Sequence, residues 1–266
     1  MMSLVNITGV SLTYHDPEGE TEALHDVNLS VEPREFVVIV GPSGCGKSSL
    51  LSIVAGLVKP SRGEVHIGGD RIVGPSRRIG YMLQHDYLFE WRTILDNALL
   101  GLEVRGERTR ESVAEVKRLM QRYGLGGFER HYPRQLSGGM RQRAALIRTL
   151  AVRPDCLLLD EPFSALDYQT RLRVAEEVYR ILKDEDKTVI MVTHDIAEAV
   201  SIADRIIVMT PRPGTILSEH KIVFDCPRRT PLTTRRQPEF PGYFNAVWKD
   251  LNSSEGVVAI GQEDAP

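Results

Sequence analysis

The segment EFVVIVGPSGCGKSSLLSIVAGL at residues 35–57 sets the fold class expected for this chain. It opens with a short apolar run at 36–40, rich in β-branched residues, and a glycine-rich turn follows. Apolar residues then recur at helical spacing, at positions 50, 51, 54 and 57. This order is typical of a β-strand, a tight loop and an α-helix. The segment therefore predicts an α/β protein.

Later apolar runs extend this prediction to a whole sheet. Each is short enough for a strand, and helical patterns separate them. The predicted strands are residues 156–159, 189–192 and 206–209. Strands that alternate with helices predict a mostly parallel sheet with helices on both faces.

Three other regions depart from that pattern. The stretch before Glu35 alternates apolar and polar residues, which predicts an antiparallel β subdomain beside the glycine-rich loop. Residues 92–136 contain helical patterns at 93–102 and 110–123, which predict an inserted α-helical subdomain. After residue 210 the chain is rich in proline, arginine and polar residues, which is typical of a solvated extension with a local basic cluster. We therefore expect a main domain at 1–210 and a C-terminal extension at 211–266.

Composition narrows the possible functions. The 266 residues include 33 Lys+Arg and 36 Asp+Glu, a net charge of −3, so no global positive field favours nucleic acid as a partner. The three cysteines lack metal-ligand spacing, which favours a reducing compartment and hence the cytoplasm. We find neither a secretory signal nor an apolar run of about 20 residues, so we expect a partner to supply any membrane-spanning helices.

Residues 41–48, GPSGCGKS, match the phosphate-binding pattern G-x-x-x-x-G-K-[ST] between the predicted strand and helix. Glycines in such a loop let backbone N–H groups surround phosphate oxygens, and the helix N-terminus adds positive potential. Lys47 is placed to reach the β- and γ-phosphates, and the Ser48 hydroxyl is placed to bind Mg²⁺. The loop therefore predicts a nucleoside triphosphate site.

Two carboxylates follow the strand predicted at 156–159. Asp160 closes that strand, where a carboxylate is placed to hold the Mg²⁺ shell. Glu161 comes next, and near a γ-phosphate it would accept a proton from the attacking water, a role worth about 10²- to 10⁴-fold in rate. A solvated acid pair at a strand end is the alternative, and the phosphate loop elsewhere in the chain favours the catalytic interpretation.

The segment LSGGMRQR at 136–143 places a serine and two glycines before an apolar-striped helix. Ser137 is expected to cap this helix, and such a helix start suits an anion supplied by another polypeptide. A simple capped helix remains the alternative. Asp195 and Glu198 also have the spacing of a helix cap, which we interpret as structural.

The order of the phosphate loop, LSGGM, CLLLDEP, SALD and VTHD resembles that of the ATPase subunit of ATP-binding-cassette (ABC) transporters. This resemblance implies a P-loop NTPase core, and it implies that Tyr14 stacks on adenine while Gln84 links Mg²⁺ and water to the helical insertion. It also implies a γ-phosphate contact for His194 and catalysis by Glu161, His194 and Gln84. The implied ATP-binding residues are Tyr14, Gly41, Pro42, Ser43, Gly44, Cys45, Gly46, Lys47, Ser48 and Ser49, with Ser48, Gln84 and Asp160 for the metal.

The same resemblance implies a head-to-tail dimer of ATPase subunits, with ATP between the P-loop of one copy and the LSGGM signature of the other. The signature residues are Ser137, Gly138, Gly139 and Met140, and the loop that meets the opposite subunit is Ser164, Ala165, Leu166 and Asp167. Met140 stands where glutamine is commoner, and His85 stands where an acidic residue is frequent. These two departures from the family pattern affect the expected contacts at the interface and not the main catalytic residues.

The residues after Gln84 point to a transporter. Tyr87, Leu88, Phe89 and Trp91 resemble the lining of a groove for a permease helix, although packing within the helical insertion is the alternative. The EWRTILDN segment, the PRPG at 211–214 and the PRRT at 227–230 resemble the nitrate, aliphatic-sulfonate and taurine importer group. This implies an ATPase at the cytoplasmic face of the inner membrane, bound to a permease and indirectly served by a solute-binding protein.

Other functions stay open at this stage. One is a soluble cassette ATPase that acts on ribosomes or DNA, which the single cassette and the absence of sustained heptads or basic bias disfavour. Another is an importer ATPase for a different small solute, because the ATPase does not touch the solute. A third is a regulatory protein that binds nucleotide without hydrolysing it, which the presence of Glu161 and His194 disfavours.

Overall fold

The computed structural model describes residues 3–17, 19–226 and 229–260. It divides into two compact units. The first contains Met1–Ser76 and Thr188–Pro266, and the second contains Arg77–Lys187. The phosphate loop and His194 belong to the first unit, whereas both candidate carboxylates and the signature belong to the second.

Within the described ranges the chain forms ten strands and nine α-helices. The strands are β1 (Val5–Asp16), β2 (Gly19–Val31), β3 (Phe36–Val40), β4 (Arg62–Ile67), β5 (Asp70–Arg71), β6 (Ile79–Met82), β7 (Cys156–Asp160), β8 (Thr188–Thr193), β9 (Arg205–Met209) and β10 (Ile216–Lys221). The helices are α1 (Lys47–Val54), α2 (Ile94–Ala98), α3 (Leu100–Val104), α4 (Arg110–Arg122), α5 (Gly138–Ala151), α6 (Tyr168–Asp184), α7 (Ile196–Ile202), α8 (Pro231–Thr234) and α9 (Phe240–Ile260). A 3₁₀ turn, Pro133–Gln135, precedes α5.

The N-terminal part of the first unit is an antiparallel sheet of strand order β2-β1-β4-β5. In β2, the side chains of Val27, Leu29 and Val31 are buried, while the intervening Asn28 and Ser30 are exposed. This alternation places one face of the strand against the core. The prediction of an N-terminal antiparallel subdomain is confirmed.

The rest of the first unit contains strands in the order β10-β9-β3-β8. β3 is parallel to both β8 and β9, and all five of its residues are buried, as expected for a strand covered on both faces. The predicted strands at 189–192 and 206–209 are confirmed as β8 and β9. α1 begins at Lys47, immediately after the glycine-rich loop, as the sequence predicts.

The second unit combines a parallel strand pair with helices. β6 runs parallel to β7, and the helices α2, α3 and α4 lie between them in sequence. The prediction of an inserted helical segment is therefore confirmed. The helical pattern at 93–102 corresponds to two short helices, α2 and α3, with Leu99 between them.

Parts of the C-terminal segment, which the sequence predicts to be a solvated extension, pack on the rest of the first unit. β10 pairs antiparallel with β9, and α9 packs on α7, β9 and β10. Ile222, Thr234 and Val247 are buried, and Arg229 forms a 2.8 Å ion pair with Asp204. Composition did not indicate this burial because the apolar residues are scattered among prolines and arginines and find partners far away in sequence.

The basic cluster around residues 226–236 is only partly described, since Arg228 lies outside the described residues. Of the helices in the described part of the chain, none combines the length and the apolar character that crossing a bilayer requires. The division into domains at 1–210 and 211–266 stays a prediction.

Candidate nucleotide site

The phosphate loop lies between β3 and α1 and contains glycines that no other residue could replace without movement. A Cβ atom on Gly41 would lie 2.8 Å from the Cys45 Sγ. At Gly46, φ is +101° and a Cβ atom would lie 2.6 Å from a Leu24 methyl carbon. Because this backbone must approach its neighbours closely and turn left-handed, only glycine is accommodated. The result is a cradle of the kind that binds phosphate through backbone N–H groups.

The Lys47 ammonium group lies against the backbone of this loop. Its side chain is buried, and the Nζ atom donates hydrogen bonds of 2.8 Å to the carbonyl oxygens of Gly41 and Pro42. The ammonium group is therefore held beside the loop and close to the first turn of α1, where a phosphate would gain from both the charge and the free N–H groups. The loop and Lys47 together fit a nucleotide polyphosphate.

Cys45 is a packing residue within the loop. Burial raises the pKa of its thiol, and the nearby charge of Lys47 lowers it in part. The thiol thus stays protonated at neutral pH and fills the space behind Gly41.

Tyr14 lies beside the same loop. Its hydroxyl is 3.1 Å from the Ser49 hydroxyl of α1, and 43% of the residue is exposed. A ring with this exposure next to a phosphate site has a face available for stacking on a base. The geometry supports the adenine role implied for Tyr14, which stays a prediction.

The two carboxylates stand at the end of β7. Asp160 is its last residue, is 8% exposed and accepts a 3.1 Å hydrogen bond from the Tyr81 hydroxyl. Gln84 donates 3.5 Å hydrogen bonds to the Glu161 carboxylate and to the Ser164 hydroxyl. The second unit therefore brings Gln84 to Glu161 and Ser164, which lie 77 and 80 residues further along the chain.

The backbone at Glu161 is strained. Its φ of +44° lies in the left-handed region, which residues with a Cβ seldom adopt. The Ser164 hydroxyl donates a 3.0 Å hydrogen bond to the Glu161 carbonyl, and the Gln142 amide donates to the carbonyl of Pro162. Strained residues that several contacts hold in place are typical of functional sites.

The signature forms the N-terminus of α5. Ser137 caps the helix, and its hydroxyl accepts a 3.4 Å hydrogen bond from the Met140 N–H. A Cβ atom on Gly139 would lie 2.9 Å from a Val174 methyl carbon, which requires glycine there. Predicted capping by Ser137 is confirmed.

A cleft of about 510 Å³ joins the signature to the predicted dimer loop. Asp167 caps α6 by accepting a 3.1 Å hydrogen bond from the Thr170 N–H. Hydrogen bonding to Thr170, first by its side chain and then by its backbone N–H, holds the pKa of Asp167 below its usual range. The cleft is lined by Ser137, Gly138, Gly139, Met140, Arg143, Ala165, Leu166, Asp167, Thr170, Arg173, Val174 and Glu177.

His194 follows the last residue of β8 and is exposed. The next residue, Asp195, caps α7 by accepting a 2.9 Å hydrogen bond from the Glu198 N–H, which confirms the structural role predicted for this pair. An exposed imidazole at the carboxyl end of a parallel strand is suitably placed to meet a ligand.

The chemistry of the predicted metal ligands fits Mg²⁺. Asp160 supplies a buried carboxylate, and Ser48 and Gln84 supply a hydroxyl and an amide oxygen. In the described ranges no group of three or more His, Cys, Asp or Glu side chains could hold a metal ion.

The aromatic segment after Gln84 divides into exposed and buried side chains. Tyr87 and Trp91 are 56% and 74% exposed, whereas Leu88 is buried. Trp91 stacks on Phe89 with ring centroids 4.8 Å apart, and Arg92 lies over the Phe89 ring. Tyr87, Trp91 and the half-buried Phe89 therefore form an aromatic patch, while Leu88 packs inside the second unit.

Sequence reasoning did not identify Tyr81, Gln142 or Arg212 as residues of the candidate site. Tyr81 contacts Asp160 and Gln142 contacts Pro162, and both contacts join distant parts of the chain. Arg212 donates to the Gly44 carbonyl of the phosphate loop. The only sequence signal for Arg212 was its place in the PRPG segment after β9.

A family model described as ABC transporter matches residues 24–164. The uncharacterized ABC transporter ATP-binding protein YtlC of Bacillus subtilis (strain 168) is 46% identical over 96% of this chain and 98% of YtlC. The nitrate import ATP-binding protein NrtD of Synechocystis sp. is 38% identical over 94% of this chain and 96% of NrtD. The taurine import ATP-binding protein TauB of Roseobacter denitrificans is 37% identical over 99% of this chain and all of TauB.

A solved structure shows the same fold. It is the dimeric ATP-binding cassette MJ0796 in a post-hydrolysis state bound to ADP and Pi, with a TM-score of 0.68 and 34% identity over 83% of this chain and 99% of that chain. The predicted fold class is thereby confirmed. Because the family model spans more than half of the chain and the relatives align along nearly all of it, this chain belongs to the ATP-binding proteins of the ABC transporter family.

Proposed function

This chain is an ATPase of the ABC family, and we propose that it powers solute import through a separate permease, at the cytoplasmic face of the inner membrane. ABC ATPases use ATP with Mg²⁺, and relatives of this chain are described as nitrate and taurine import proteins. Those descriptions favour a small oxyanion of the nitrate or taurine type as the solute, and a further relative described as an aliphatic sulfonates import protein adds an aliphatic sulfonate as a candidate. A solute-binding protein would deliver it to the permease.

In this proposal the first unit holds the nucleotide. The backbone N–H groups of residues 41–49 and the Lys47 ammonium bind the phosphates, and the Tyr14 ring stacks on adenine. The Ser48 hydroxyl, the Asp160 carboxylate and the Gln84 amide would hold Mg²⁺, which neutralises phosphate charge when bound. His194 contacts the γ-phosphate.

Glu161 is proposed as the general base. Its carboxylate accepts a proton from the water that attacks the γ-phosphorus, and Gln84 orients that carboxylate through its 3.5 Å hydrogen bond. The Ser164 hydroxyl, 3.5 Å from the same Gln84 amide, keeps the arrangement in place.

A second copy completes the site in this proposal. The capped N-terminus of α5, with Ser137, Gly138 and Gly139, would bind the ATP held by the partner copy, and residues 164–167 would meet that copy. The dimeric state of the related MJ0796 cassette supports such an assembly. ATP would then close the dimer by burying its charge against prepared donors, and hydrolysis would release it.

One observation carries the link to a transporter. Gln84, whose amide contacts Glu161, directly precedes the segment that exposes Tyr87 and Trp91. Exposed aromatic patches are typical of protein interfaces. A partner helix seated on this patch would be only a few residues from the amide that orients the general base.

The test is to co-express the chain with a candidate permease and binding protein, reconstitute the complex, and measure ATP hydrolysis with nitrate, taurine and an alkanesulfonate. We expect one of these solutes to stimulate hydrolysis several-fold. Trp91→Ala should lose permease binding and stimulation while it retains ATP binding, because only the patch is altered. Val73→Ala, at a 91% exposed apolar residue of the first unit, is the matched control and should behave as the wild type.

Two results would count against the proposal. Unchanged permease binding by Trp91→Ala would remove the patch from the interface. Hydrolysis that responds to ribosomes or DNA, and to no membrane partner, would favour a soluble cassette ATPase instead.

A further inference from the structure

The loop between β9 and β10, TPRPGT at residues 210–215, is closed by its own hydrogen bonds. The Thr210 N–H donates to the Thr215 carbonyl at 3.0 Å, and the Thr215 N–H donates to the Thr210 hydroxyl at 3.0 Å. The Thr210 hydroxyl in turn donates to the Pro213 carbonyl at 3.2 Å. These contacts, with two prolines, restrict the loop to a defined shape.

Gly214 anchors this loop between β2 and the phosphate loop. Its N–H donates to the Ala23 carbonyl at 3.0 Å, and its carbonyl accepts from the His25 N–H at 3.0 Å. A Cβ atom on Gly214 would lie 1.9 Å from the Cys45 carbonyl oxygen. The backbone of the 210–215 loop thus lies directly against the phosphate loop, at a distance that only glycine permits.

Arg212 extends from the same loop onto Gly44. Its Nε and Nη2 atoms both donate to the Gly44 carbonyl oxygen, each at 3.3 Å. Gly44 has a φ of +76°, so this peptide lies in the left-handed part of the turn. The guanidinium therefore restrains the orientation of the peptide that joins Gly44 to Cys45.

The direction of that peptide matters for phosphate binding. In a trans peptide the carbonyl and the following N–H point in opposite directions, so a donor on the Gly44 oxygen orients the Cys45 N–H. A cation on the oxygen also polarises the peptide and strengthens its N–H as a donor. The Cys45 N–H itself makes only a long, 3.4 Å bond to the Pro42 carbonyl, which leaves its orientation dependent on other contacts.

We propose that Arg212 is a positioning residue of the nucleotide site, which acts through the Gly44 carbonyl to hold the phosphate loop in its binding conformation, while Gly214 provides the close backbone support. The inference rests on the proposed nucleotide site at 41–49. It adds to that site a residue from outside the phosphate-binding pattern, about 170 residues further along the chain.

The test compares nucleotide affinities of Arg212 variants. We expect Arg212→Ala to raise the Kd for both MgATP and MgADP by about 3- to 10-fold, since an exposed charge-assisted hydrogen bond is lost. Arg212→Lys, which keeps the charge and one donor, should recover most of the affinity, and Arg212→Gln, which keeps a donor without charge, should fall between the two. The melting temperature without nucleotide should stay near the wild-type value.

Two further variants separate this inference from the proposed function. Arg71→Ala, at an exposed arginine of the same unit paired with Glu64, should bind nucleotide as the wild type does. Lys47→Ala should lose most of its nucleotide affinity, and wild-type affinity there would remove the proposed nucleotide site itself.

Three results would overturn the role proposed for Arg212 and leave the proposed nucleotide site intact. One is weak binding by Lys47→Ala together with wild-type Kd values for Arg212→Ala. Another is a reduced turnover of Arg212→Ala at unchanged Kd, which would assign the arginine to the chemical step. A lowered melting temperature with unchanged Kd would make Arg212 a stabilising residue only.

Discussion

Glu161, the residue proposed as the general base, has an unusual backbone conformation. A residue with a Cβ at φ +44° carries a conformational cost of about 1 kcal/mol or more. The hydrogen bond from Ser164 to the Glu161 carbonyl and the contact with Gln84 keep it there.

We predict that Glu161→Gln lowers ATP turnover by about 10²- to 10⁴-fold, because the amide cannot accept the proton of the attacking water. The amide is isosteric and still offers an oxygen to Gln84, so the Kd for MgATP should change by less than about 3-fold. Steady-state phosphate release and equilibrium nucleotide binding measure the two quantities, and an ATP-bound dimer should accumulate in size-exclusion chromatography.

The matched control for that prediction is Glu239→Gln, at an exposed glutamate of the first unit, which should leave turnover unchanged. Wild-type turnover in Glu161→Gln would remove Glu161 from the role of general base.

At the scale of elements, α5 connects the signature to the aromatic segment. The helix begins at the cap Ser137, and one turn later the Arg141 side chain donates to Asp86 and to the Leu136 carbonyl, each at 3.1 Å. Arg148 donates to the carbonyls of Asp86 and Tyr87 at 2.7 and 2.8 Å, and burial lowers the pKa of its guanidinium. The helix that begins at the signature therefore also contacts the segment that exposes the patch.

We predict that the Arg141 and Asp86 pair is energetically coupled. Arg141→Ala should lower the free energy of unfolding by about 1 to 2 kcal/mol, because Asp86 then loses its charged partner. Asp86→Ala combined with Arg141→Ala should cost less than the sum of the single changes, by about 0.5 to 1 kcal/mol. Chemical denaturation of the four proteins measures this coupling.

A matched control is Arg118→Ala, which removes a highly exposed arginine paired with Glu115 and should cost no more than about 0.5 kcal/mol. Fully additive effects at Arg141 and Asp86 would show that their contact contributes nothing to the stability of the helix and the segment.

At the scale of the whole molecule, the C-terminal residues complete the first unit. Asp250 of α9 accepts hydrogen bonds from the Ser218 hydroxyl at 2.5 Å and from the His220 Nε2 at 2.8 Å, both on β10. These bonds hold the pKa of Asp250 below its usual range. This cluster and the buried Val247 fasten the last long helix to the sheet.

We predict that Asp250→Asn lowers the free energy of unfolding by about 1 to 2 kcal/mol at pH 7, because the charge-assisted hydrogen bonds are weakened. Since the folded-state pKa of Asp250 is depressed, its contribution is present above about pH 4, the usual pKa, and is lost as the pH falls through the folded-state value. Urea denaturation at several pH values should therefore show a difference that shrinks in acid.

For comparison, Asn245→Ala removes an exposed side chain of the same helix and should have little effect at any pH. A difference between wild type and Asp250→Asn that persists unchanged below pH 3 would contradict the role assigned to the carboxylate.

Much of the molecule follows from local patterns in the sequence. The strand, loop and helix around Lys47, the strands β7, β8 and β9, and the helix caps at Ser137 and Asp195 all follow from spacing within a few residues. Such features depend on hydrogen bonds and on side-chain periodicity, both of which are determined by residues close together in the sequence. The order of the motifs along the chain also indicated the ABC ATPase family, because each motif can be identified from its own few residues.

Other features depend on which surfaces meet in the folded chain. The contacts of Tyr81 with Asp160 and of Arg212 with Gly44 join positions 79 and 168 residues apart, and the burial of Ile222 and Val247 needs a sheet to pack against. Neither periodicity nor composition encodes such pairings, because each requires two distant segments to approach within a few ångströms. The tertiary packing therefore placed Arg212 on the phosphate loop, and the motif at 41–48 alone gave no sign of it.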